Sequence, residues 1–191
     1  MAKRQIGLVR EPDTGELRQE WGTVVENELG IDRDVAEVVV GALRVDHAGT
    51  FNLFYLLRKH YWTAEGAEFH QVAEFLGDAY KRARAINDDL AVRIVELGGV
   101  PPNTPPTIQE NARVHLEAED VYDLRASLEG DLEGYATLVA EMRDHVGLAE
   151  ELGDWATAKR LHDHLRDLED DARAVEQLLE GDALVREGAT D

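Results

Sequence analysis

The chain has 191 residues, with 40 acidic against 20 basic side chains and a formal net charge of −20. This length suits one domain with a substantial core, and such a polyanion repels nucleic-acid phosphates and anionic lipid, so direct DNA binding is not expected. Cysteine is absent, which excludes disulfides, thiolate metal sites and cysteine nucleophiles, and no apolar run reaches the roughly 20 residues of a membrane span.

Residues 1–33 read as an N-terminal arm. It has a turn at Pro12-Asp13-Thr14-Gly15, a short amphipathic helix carrying Trp21, Val24, Val25 and Leu29, and too few cations (Lys3, Arg4, Arg10, Arg18) for a DNA-binding tail. The stripe of Val35, Val38, Val39, Leu43, Phe54, Tyr55 and Leu57 predicts a first long helix from about Asp34 to Tyr61. A turn at Ala64-Glu65-Gly66 leads to a second helix from about Ala67 to Leu97, with Val72, Leu76, Ala83, Leu90 and Ile94 at helical spacing. Gly98-Gly99 stops it.

Val100-Pro101-Pro102-Asn103-Thr104-Pro105-Pro106 cannot continue a helix. A long crossover with one short helical turn at Thr107–Arg113 follows, then a third helix over roughly Glu119–Leu152. The fourth runs from an N-cap at Asp154 to about Glu180, and residues 183–191 form a C-terminal tail. No strand pattern stands out. The expected architecture is an all-α four-helix bundle with a long crossover between helices 2 and 3.

Several short motifs carry a family resemblance. Trp62, Gly66 and Phe69 keep the spacing of an HW-x-x-x-G-x-x-F pattern, though the His is missing; Ala91-x-Arg93-x-x-x-Leu97-Gly98-Gly99 and Gly153-Asp154-x-x-Thr157 follow in order. With these motifs residues 34–182 resemble the Dps (DNA protection during starvation) family of the ferritin-like superfamily. Glu119–Asp123 and Leu148–Asp154 are similar to haloarchaeal members in particular. Lysine supplies only four of the cations (Lys3, Lys59, Lys81, Lys159), and a carboxylate-rich, lysine-poor surface suits concentrated salt, where charge repulsion is screened within about 3 Å at 1 M.

The resemblance implies a homo-oligomer, a hollow dodecamer that takes up and oxidises iron, in the cytoplasm. It also implies a di-iron site between two subunits, where oxygen and nitrogen donors suit iron. Its ligand positions fall on Tyr61, Ala73, Gly77, Asp88 and Val92, and Asp88 alone keeps a carboxylate. No catalytic residue and no resident cofactor is therefore assigned. The family's acidic pore position falls on Lys159, with Asp154 at its mouth.

Two readings follow. In the first, the chain is a structural, shell-forming relative with reduced or lost iron oxidation, its ferroxidase activity expected to be impaired. In the second, it is an active iron-storing, peroxide-detoxifying ferroxidase whose ligands have moved to the neighbouring donors His60, His70 and Asp78. No His has Glu three residues before it, which argues against a buried centre of the Glu-x-x-His kind. His164 and Asp167 on the fourth helix form an i,i+3 pair that could hold a surface metal weakly.

Overall fold

The computed structural model describes residues 5, 6, 9–12, 14–66 and 69–181. Four long helices, α1 (Arg33–Thr63), α2 (Phe69–Glu96), α4 (Leu124–Glu151) and α5 (Trp155–Gly181), form the bundle, and the short α3 (Pro105–Asn111) sits in the crossover. α1 and α2 pack as one hairpin, α4 and α5 as another, with α1 against α4 and α2 against α5. The core between them includes Leu43, Leu57, Leu76, Leu90, Ile94, Leu138, Met142 and Leu168. Residue 182 and the expected tail at 183–191 lie outside the described residues.

The arm differs from its expected form. A two-residue hairpin, β1 (Gln5–Ile6) with β2 (Val9–Arg10), pairs Gln5 with Arg10 and Ile6 with Val9. The stretch around Trp21–Leu29 is not helical. Gly22 and Gly30 take positive φ there, and the Asn27 side chain accepts from the Leu29 and Ile31 amides, folding the chain into a side-chain-closed turn. The segment docks instead of coiling: Val24 is buried, and the Val25 N–H and the Gln19 amide both donate to the Gly98 carbonyl. Gly98 ends α2 at φ +83°, and a Cβ there would lie 2.1 Å from the Val25 carbonyl oxygen. Only glycine fits both the left-handed turn and this approach.

α4 starts five residues later than the pattern suggested. Lys59 of α1 reaches across to pair with Glu117 at 2.5 Å and to donate to the Ala118 and Asp120 carbonyls, holding the preceding segment out of helix. Asp123 then caps α4 by accepting from the Ala126 N–H. Val38 and Tyr55, expected inside, are exposed on α1, because the other helices cover only one side of it.

Candidate functional site

Tyr61 lies in the last turn of α1, and its ring rests on α2. Its Cε2 is 3.2 Å from where a Gly77 side chain would begin, and its ring centroid is 5.4 Å from that of Tyr80. Ala73 is half-buried one turn earlier on α2, while Asp88 and Val92 are exposed further along it. From Gly77 to Asp88 and Val92 the helix rises roughly 16 and 22 Å. A single chain therefore cannot bring these five positions together, and closing them into one site needs a second copy.

The neighbouring donors are engaged elsewhere. His60 points into the bundle, with Nδ1 2.9 Å from Asp131 Oδ1 and Nε2 3.1 Å from Glu117 Oε2. Burial disfavours the charged ring, but the two carboxylates outweigh it and hold His60 above its ordinary value. Asp131 is pushed up by its own burial, against the pull of His60. Asp78 is exposed and paired with Lys81 at 3.2 Å, His70 is exposed in the first turn of α2, and Asp88 faces Arg84 at 3.9 Å.

Asp154, considered for a pore mouth, is 1% exposed. It caps α5 by accepting from the Thr157 N–H at 3.0 Å and Oγ1 at 2.5 Å, and it receives Arg93 Nη2 at 2.8 Å. Arg93 Nε donates to Thr157 at 2.7 Å, so the Arg93 and Gly153-Asp154-x-x-Thr157 motifs form one buried joint between the end of α2 and the start of α5. Lys159 is exposed and paired with Asp163 on its own helix. His162 and His164 diverge, the first to Glu150 of α4 and the second to Asp89 of α2. Among the described residues no group of three or more His, Asp or Glu side chains is arranged to hold a metal ion.

A regularity absent from the sequence reading joins the hairpins. Asp46 and His60 stand fourteen residues apart on α1, as do Asp131 and His145 on α4. The helices run antiparallel, so Asp46 meets His145 at 2.9 Å and His60 meets Asp131 at 2.9 Å. α2 and α5 repeat the scheme at seven residues: Arg82 binds Asp171, and Asp89 binds His164 and Arg160. The twice-repeated Asp-x13-His spacing was the signal available in the sequence, but its meaning depends on knowing which helices face each other.

Residues 41–185 match the family model for the ferritin-like domain. The chain is 47% identical over 161 residues to the DNA protection during starvation protein of Halobacterium salinarum, covering 84% of this chain and 88% of that protein. The chain belongs to the Dps branch of the ferritin-like family. The crystal structure of an archaeal Dps homologue from Halobacterium salinarum superposes on this Dps chain with a TM-score of 0.87 at 45% identity, covering 92% of this chain and 98% of that one. DpsC from Streptomyces coelicolor gives 0.83 at 27% identity, over 86% and 96% of the two chains. A nutrient stress-induced DNA-binding protein of a Nostoc species is 32% identical over 76% of this chain and 79% of its own length. Among the described residues no helix is long and apolar enough to cross a membrane.

Proposed function

We propose that this Dps chain builds a cytoplasmic, salt-adapted homo-oligomeric shell, a dodecamer by analogy with its family, in which iron oxidation between subunits is reduced or lost. The observation that carries this reading is the Tyr61 ring lying against Gly77. At the five positions where the family gathers iron ligands, this chain offers a phenol, two positions without a polar side chain (Ala73, Gly77), an apolar Val92 and one carboxylate, Asp88. Iron needs several oxygen or nitrogen donors and charge neutralisation. These residues do not fit it. Each half of the inter-subunit site is depleted, so pairing with a competent relative would not rebuild it.

Self-association is supported by what one chain leaves uncovered. Trp62 is 65% exposed, with the Arg58 guanidinium stacked 4.8 Å from its ring and over Phe54 and Tyr55, while Val92 and Val95 project from α2. Apolar surface of this extent calls for a partner. The net charge of −20 opposes direct DNA binding, and Lys159 at the family's pore position opposes the passage of Fe²⁺.

The test is an anaerobic Fe²⁺ load of the purified oligomer followed by air, with metal analysis and particle images of the same sample. Shells that form ferric iron no faster than buffer support the proposal. Rapid ferric absorbance from several irons per subunit overturns it in favour of a ferroxidase with moved ligands.

A further inference from the structure

We propose that Asp46 and His145 form a proton-dependent clasp between the two helical hairpins, tight while His145 carries its second proton and loosened when that proton, and with it the positive charge, is lost. The proposal rests on this pair alone and does not depend on the absence of iron chemistry.

Asp46 is fully buried on α1. Its Oδ1 accepts from His145 Nδ1 at 2.9 Å, and its Oδ2 is buried without any hydrogen-bond partner. A buried carboxylate with one oxygen unpartnered by protein depends on a nearby positive charge, because half of its acceptor capacity meets no protein donor. His145 supplies that charge at the edge of the seam, with 16% of its side chain exposed, so protons reach it while Asp46 stays dry.

The surrounding charges favour the tight form. On its own helix His145 is near Glu141 and Asp144, and from α1 it faces Asp46; burial disfavours the cation, but these three carboxylates outweigh it and raise its affinity for the proton above the ordinary value of 6.5. From α5, His164 acts on Asp46, and His164 is itself held with Arg160 on Asp89 of α2. Burial first, and Glu141 second, push Asp46 upward, opposed by His145 and His164. A histidine raised in the folded state contributes stability that is fully present below about pH 6.5 and is lost as pH rises through its folded value. Deprotonation at Nε2 leaves the Nδ1–H bond to Asp46 but removes the positive charge beside a buried carboxylate that also feels Glu141, so the α1–α4 contact loosens there.

Histidine Cε1–H deuterium exchange, read by mass spectrometry on the assembled full chain in molar salt from pH 5 to 9, tests the clasp. The half-exchange point of the His145 peptide is expected above 6.5 and falls by about one unit or more in Asp46→Asn. The melting temperature of the unaltered protein falls as pH rises through that same point, and in Asp46→Asn this dependence flattens. Asp144→Asn, an exposed change that leaves folding intact, lowers the half-exchange point by less than Asp46→Asn. A His145 half-exchange at or below 6.5 overturns the proposal, as does a point that neither variant moves.

Discussion

The seam between the two hairpins and the surface near Tyr61 handle their polar groups in opposite ways. Imidazoles and carboxylates are buried at Asp46–His145 and His60–Asp131 and half-buried at Asp89–His164, each pair tying one helix to another. Near Tyr61 the side chains meet by apolar contact instead: the Tyr61 ring lies against Gly77 and beside Tyr80, with Ala73 half-buried one turn earlier on α2. Donor count alone is thus a poor guide to metal chemistry. A carboxylate already holding an imidazolium is a structural strut, and a surface without unpaired donors is a packing surface.

Removing a strut is the harshest way to test the contrast. His60→Ala leaves Asp131 fully buried with no cation beside it, its Oδ2 already without a partner, and takes away one of the two cations on Glu117. Breaking one partner of a buried pair costs about 3–5 kcal/mol, so denaturant unfolding in molar salt should show a loss of that size. The double change His60→Leu with Asp131→Leu should recover much of it, because the uncompensated charge disappears along with the strut. A loss under 1 kcal/mol for His60→Ala would mean that the interior donors are as replaceable as surface ones.

Gly98→Ala comes next. Its backbone at φ +83° disfavours a side chain by roughly 1–2 kcal/mol, and the Cβ would strike the Val25 carbonyl. The arm should leave its groove, exposing Val24 and freeing the Gln19 contact. Limited proteolysis between residues 15 and 30 should quicken while the bundle melts only a few degrees lower.

How far these features could be read in advance depended on how local their causes are. The four long helices follow from 3.6-residue periodicity, and the stops at Gly98 and Gly153 from residues that tolerate positive φ; both are written into short stretches. The arm was misread because Trp21, Val24, Val25 and Leu29 have helical spacing, whereas their conformation is set by contacts to Gly98, more than seventy residues away. The late start of α4 has a similar origin in Lys59. At the candidate site only the identities of the residues were legible, as letters. That Tyr61 fills the space beside Gly77, that His60 turns inward, and that Asp154 is sealed beneath Arg93 are consequences of packing between helices.

A smaller effect tests whether the outer surface is packed or merely lacks ligands. Gly77 is mid-helix, where alanine ordinarily gains about 1 kcal/mol over glycine. Here the added methyl would meet the Tyr61 ring edge at 3.2 Å, so Gly77→Ala should gain little or nothing in the unaltered protein and should regain its usual benefit in Tyr61→Ala. Neighbouring residues couple by about 0.5–3 kcal/mol, and the low end is expected because the ring can tilt. A double-mutant cycle by denaturant unfolding measures it, and strict additivity would show that Tyr61 does not occupy the space in solution.

The smallest change should come from Lys159→Ala. This lysine and Asp163 sit one turn apart on the exposed face of α5 and make a short ion pair, but exposed pairs contribute only about 0.2–1 kcal/mol and are screened by salt. Asp163 also stays near Arg166 at 3.9 Å, so it does not lose every cation. Unfolding in molar salt should therefore barely move, far less than on strut removal, although both changes delete a cation beside a carboxylate. The difference between them is dielectric: water and salt reach Lys159, and they do not reach Asp131, whose side chain is fully buried. If Lys159→Ala proved as damaging as His60→Ala, α5 would have to be held at that face by something beyond its own helix, and a neighbouring subunit contacting Lys159 would be the first place to look.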